Sequence, residues 1–190
     1  MFNEKRRFWA IVAIELIFLI GFAGYFQNIM VDGFSITLKS VQMDPDDIFR
    51  GNYLDLNYEI EQYEKKILKD DSDVEFEDFE TFLDFEKGEE VRVYLKKKGK
   101  YWVIRDVDWF GMDEEEVSKN NIFIKAKVKS ATKKLLVLDY GLNKVFVSRQ
   151  KAEKYGFESG TFDVEVKVGY DGKGVIESVY YKGKKITTDN

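Results

Sequence analysis

Two places in the chain combine residue type and spacing in a way that could support chemistry, and a third concentrates charge. The first is "DPDDIFRGNYLDLNY", Asp44 to Tyr58. Arg50 follows Asp44, Asp46 and Asp47 closely enough to pair with any of them, and such a pair would lock a turn around Pro45. Two readings of this stretch stay open: a corner that sets strand register, and a binding site around Arg50 and Tyr53. The second place is Glu15, the one charged residue in the apolar run "FWAIVAIELIFLIGFAGYF" from Phe8 to Phe26. A carboxyl within such a run either hydrogen-bonds across helices to a multi-pass partner or stays protonated and silent, and both readings stay open. The third is the stretch 70–90, with eleven acidic side chains. A calcium loop near "DDSDVEFED" would need the turn glycine and alternating ligands of an EF-hand, which are missing. A solvated acidic face is the better reading.

What the composition lacks narrows the chemistry further. The chain has no histidine and no cysteine, which removes the commonest general base, the nitrogen and sulfur zinc sites, and disulfide staples. No cofactor is called for. Paired carboxylates alone can hydrolyse glycosides, but no acid pair stands out from the acidic background. Net charge is -5, and about -6 once the N-terminal charges through Glu15 are set aside. That balance argues against nucleic acid and against anionic lipid headgroups as partners of the domain.

The elements that must position these residues begin with the apolar run. Residues 8–29 are expected to form a transmembrane helix acting as a signal anchor in the lipid bilayer, long enough for a hydrocarbon core of about 30 Å. A cleaved signal peptide is the competing reading, but its apolar region would be shorter. Lys5, Arg6 and Arg7 precede the run and Asp32 is the first charge after it. By the positive-inside rule residues 1–7 are cytoplasmic and residues 30–190 lie outside the membrane.

The remainder reads as β structure. Phe34–Met43 alternates as a strand, Pro45 breaks it, and Leu54, Leu56, Tyr58 and Ile60 alternate with Asp55, Asn57 and Glu59 as a second, half-buried strand. In the acidic segment 62–90, Phe76, Phe79, Phe82, Leu83 and Phe85 are spaced as one face of a short amphipathic helix. Two hairpins follow, around Lys98–Lys100 and Ser130–Lys134, then a strand at "KVFVS", a helical turn at "RQKAEKYG" and a closing hairpin turning at Asp171-Gly172. The expected fold is therefore mainly β: an N-terminal membrane helix, then an antiparallel barrel or sandwich of eight or nine strands with one or two short helices. Tyr101, Trp102, Trp109 and Phe110 are either core and hairpin aromatics or a surface for stacking on sugars.

The first stretch also carries a resemblance. "GNYLDLNY" is similar to the signature of the GDYXXLXY family of bacterial membrane-anchored proteins: Gly51, Tyr53, Leu56 and Tyr58 match, while Asn52 replaces an aspartate. Asp44-Pro45 and Arg50 stand where this family has a "DP" turn and an arginine. "KGEEVRVYLKKKGKYW", "GLNKVFV" and "VEVKVGYDGKGVIESVYYKG" resemble its later segments, so the similarity spans about residues 35–185. It implies a single-span protein with a small outer domain and a multi-pass membrane protein as partner. Asn52 keeps the side-chain oxygen a turn needs and loses the charge that a catalytic carboxylate needs. A looser resemblance to type I signal peptidases stops at Gln42, which stands where their nucleophilic serine would be. The reading is a non-enzymatic accessory protein; the alternatives are a module binding envelope polymers and, behind it, a carboxylate-only hydrolase.

Overall fold

The computed structural model describes residues 4–42, 53–64, 84–109, 121–148, 150 and 160–186. Helix α1 spans Glu4–Asp32, longer than the apolar run because the polar flanks continue its hydrogen bonding. It is long and apolar enough to cross a membrane. Its side chains are bare: Trp9, Ile17 and Ile20 are each about two-thirds exposed or more. In water each would forgo roughly 1.5–3 kcal/mol of burial. Only Ile29 of this helix is buried, at 3 % exposure. The helix ends at Gly33, whose amide donates to Ile29 O at 2.9 Å. A Cβ at Gly33 would sit 2.3 Å from that oxygen, and β1 (Phe34–Gln42) starts at the next residue.

The strands after β1 are β2 (Tyr53–Tyr58), β3 (Gln62–Glu64), β4 (Glu90–Lys98), β5 (Tyr101–Trp109), β6 (Phe123–Ala131), β7 (Leu135–Asp139), β8 (Lys144–Phe146), β9 (Thr161–Val168), β10 (Gly174–Tyr181) and β11 (Lys184–Lys185). They form a six-stranded sheet in the order β11-β10-β9-β1-β2-β8 and a five-stranded sheet in the order β3-β7-β6-β4-β5. Both are antiparallel and curl partway to a barrel. The expected mainly β class holds, with eleven strands among the described residues. The two that periodicity could not reveal are β3 and β11, only three and two residues long. β3 opens the acidic segment 62–90 as a strand, because a 3-10 turn at Glu59–Glu61 carries the chain from β2 onto β7. Phe76, Phe79, Phe82 and Leu83, and all of the expected helical turn at 149–156 but Gln150, lie outside the described residues.

Alternation places the core. Ile36 and Leu38 of β1, Leu54, Leu56 and Tyr58 of β2, and Phe162, Val164, Val166 and Val168 of β9 are all buried and pack in one cluster with Val91, Val93, Ile124, Leu136 and Leu138 of the other sheet. Ser40 is buried among them because its hydroxyl donates to Asn57 O at 2.8 Å. The sheets are stitched where their ladders run out. β7 pairs with β6 only from Lys127 onward, and at Lys125 the amide donates instead to Gly172 O in the β9–β10 turn, at 2.9 Å. That turn occupies residues 169–173, wider than the Asp171-Gly172 pair expected from sequence.

Candidate functional site

The signature residues that the structure describes are part of a lock between two chain segments. Leu56 is fully buried and its amide donates to Asn143 O at 2.8 Å. Two residues on, the Tyr58 hydroxyl donates to Leu142 O at 2.8 Å. The reciprocal bond runs from the Tyr140 hydroxyl to Ile60 O at 2.7 Å. Tyr58–Glu61 and Tyr140–Asn143 are thus clasped by two buried phenols, each donating to a carbonyl of the opposite segment.

Glu61 closes the clasp. It is 9 % exposed and accepts from Asn143 Nδ2 at 2.8 Å. Burial pushes its carboxyl above the ordinary value; the backbone bond at Tyr58, the Lys129 charge and the Asn143 bond offset this in part, while Asp139 adds to it. Burial likewise raises the phenols of Tyr58 and Tyr140, with Glu61's charge acting in the same direction. All of these polar groups serve one another, so chemically the arrangement holds two chain segments in register.

Asp44, Pro45, Arg50, Gly51 and Asn52 lie outside the described residues, as does the side chain of Tyr53, whose backbone pairs with Phe146 of β8. Of the residues singled out from sequence, the structure brings Leu56 and Tyr58 together and leaves Glu15 apart, exposed on α1. Tyr140, Asn143 and Glu61 were not singled out. The signal for Glu61 was a charge following directly on the alternation that ends at Ile60. Of the aromatic set, Phe110 and the side chain of Trp109 lie outside the described residues. Tyr101 donates to Asp163 at 2.6 Å beside Lys100, and Trp102 packs on the core. Burial pushes the Asp163 carboxyl up, but the Lys100 and Tyr101 bonds outweigh it and hold the pKa below the usual range.

A second feature lies where α1 meets the domain. The Tyr25 hydroxyl donates to Asp171 Oδ2 at 2.8 Å, and Lys125 Nζ lies 3.6 Å from the same oxygen. Burial raises the Asp171 pKa, yet the Lys173 amide, Tyr25 and Lys125 together bring it below the ordinary value. Ile29 packs on Gly169, where a Cβ would come within 3.0 Å of it, and Phe34 meets Tyr170 edge-on at 5.8 Å. Beside this joint opens a cleft of about 280 Å³ lined by Glu90, Lys125, Lys127, Asp139 and Lys173, with Tyr140 and Gly141 at its wall. Among the described residues no group of three or more acidic side chains is placed to hold a metal ion.

An apolar N-terminal helix that meets the β9–β10 turn of one of two antiparallel sheets, with Tyr58 at the end of the second strand and Tyr140 after β7 each donating to the other's segment, defines the class of this protein. The chain belongs to the GDYXXLXY protein family, whose model matches residues 16–179. No curated protein and no solved structure matches it.

Proposed function

We propose that this is a non-enzymatic, membrane-anchored accessory protein in which α1 crosses the bilayer and packs against a multi-pass membrane partner. The observation that carries this reading is the bare surface of α1: the apolar window of the helix has no part buried in the domain, and Glu15 stands on it in mid-run. A carboxyl in hydrocarbon costs about 2.5–3.5 kcal/mol, and a hydrogen bond from a neighbouring helix offsets that cost. The buried signature supports the reading from the other side. Leu56 and Tyr58 are used inside the fold, which accounts for these two signature residues structurally. Following the positive-inside rule, the N-terminus is cytoplasmic and the β domain lies outside.

The test is recovery of the partner. A photoreactive residue at position 15, crosslinked in intact membranes, is expected to capture one integral-membrane protein. Glu15→Leu is expected to lower that protein's co-purification by about ten-fold, the equivalent of about 1.4 kcal/mol. Undiminished recovery with Glu15→Leu would remove the role given to Glu15. Capture of nothing at position 15 would leave α1 as an anchor alone.

A further inference from the structure

We infer that the cleft beside the helix joint seats the headgroup of a zwitterionic aminophospholipid, drawn from the leaflet on the domain's side of the membrane. This rests on the reading of α1 as a membrane span.

Depth is the first argument. At 1.5 Å per residue Tyr25 lies about 26 Å along the helix axis from Phe8, close to the limit of a hydrocarbon core of about 30 Å. Its hydroxyl holds Asp171, Asp171 touches Lys125, and the Lys173 amide donates to Asp171 Oδ1 at 3.1 Å. Lys125 and Lys173 are therefore one side chain away from the point where the helix leaves the apolar layer, at the level of lipid phosphates. The joint keeps them there. Gly33 is the only residue between α1 and β1, and Ile29 is wedged against Gly169. Tyr170, 48 % exposed on the same turn, adds an aromatic ring of the kind found at the membrane interface.

Charge selects the ligand. Lys125 and Lys173 stand on the side of the cleft nearest the helix, and Glu90 and Asp139 flank Lys127 across β4, β6 and β7, where the three are direct cross-strand partners. A phosphate facing Lys125 and Lys173 and an ammonium facing Glu90 would match both ends, Asp139 being already 3.9 Å from Lys129. A lipid of zero net charge also avoids the repulsion that an acidic domain feels toward an anionic surface. At about 280 Å³ the cleft matches a headgroup, being smaller than most pockets for drug-sized ligands of about 300–1,000 Å³.

The experiment uses the full chain in nanodiscs of equal parts phosphatidylethanolamine, phosphatidylglycerol and phosphatidylcholine, with lipids retained after extraction read by native mass spectrometry. Phosphatidylethanolamine is expected to be retained about ten-fold over the other two. Lys173→Glu is expected to cut that retention about five-fold. Lys184→Glu, on an exposed strand about 23 Å away along β10, is expected to change nothing. Preferential retention of phosphatidylglycerol would overturn the zwitterion assignment, and equal retention of all three, or retention indifferent to Lys173→Glu, would overturn the site. Failure of the wild-type chain to enter nanodiscs or to float with vesicles would instead sink the membrane reading of α1 on which the site depends.

Discussion

Tyr58 and Tyr140 each sink a hydroxyl into the core, and each is at most 6 % exposed. A phenol buried this way is stable only while its donor is used, and here each donates to a carbonyl of the other's segment. Removing one oxygen leaves a buried carbonyl without that donor, which costs roughly 1–3 kcal/mol. Tyr58→Phe and Tyr140→Phe are each expected to lower the unfolding free energy by that amount, read as a lower denaturant midpoint at unchanged slope; no shift in either would mean that the clasp is not what makes these positions matter. Glu61 supplies a pH dependence. Its folded pKa is raised above the ordinary 4.5, so its contribution to stability is full below that value and is lost as pH rises through the folded pKa. Glu61→Gln, which keeps an acceptor for Asn143, is therefore expected to melt above wild type at pH 7.5. The gap should close below about pH 4.5, and melting curves across that range would check the sign. A gap that persisted in acid would point to packing and away from titration.

At the scale of elements, the β9–β10 turn has three tasks: it joins two strands, caps the free edge of β6 and receives α1. Gly172 makes this possible with φ +83, and a Cβ there would lie 2.4 Å from Phe123 Cε2. Phe123 is fully buried and cannot yield. Gly183 has a similar φ of +77 but open space around it. The pair separates backbone strain from collision. Gly183→Ala is expected to cost roughly 1–2 kcal/mol from backbone conformation alone. Gly172→Ala is expected to cost that and a further 1–3 kcal/mol or so from overpacking, measured by thermal or denaturant unfolding. Equal losses at the two positions would refute the collision. The turn was legible as "DG" in the sequence, but its width was not, because the Lys125 amide that fixes its position is distant in the chain.

For the whole molecule, helix and domain meet through a joint with no slack, so the fold itself sets a direction. β1 starts at the joint and runs about 26 Å away from it. Tyr53, antiparallel to β1 and beyond Gln42 in register, consequently begins the second strand at the end remote from the helix. Glu15 lies on the other side of the joint altogether. A partner met by Glu15 and one met at the start of β2 would occupy different spaces, which is why crosslinking at position 15 and at position 53 can tell them apart. Glu15 is also clear of the domain contacts made by Tyr25 and Ile29. The Glu15→Leu variant is accordingly expected to leave the domain's melting temperature unchanged while partner recovery falls, and a drop in both would mark a folding defect.

The sequence by itself determined the apolar helix, the alternating strands, the three hairpins and the family signature, because each is a local pattern of side-chain period or turn chemistry. Leu54, Leu56, Tyr58 and Ile60 could be assigned to one buried face from alternation alone. Only the tertiary structure decided that Tyr58 answers to Leu142 and Tyr140 to Ile60, that Glu61 is sealed beneath them, and that Lys125, Lys173 and Tyr25 gather around Asp171. All but the Lys173–Asp171 bond within the turn join residues far apart in the chain, and hydrogen bonds between distant segments leave no periodic trace. They follow from which sheet edge is left open and which strand reaches it, a matter settled only when the two sheets close on one core.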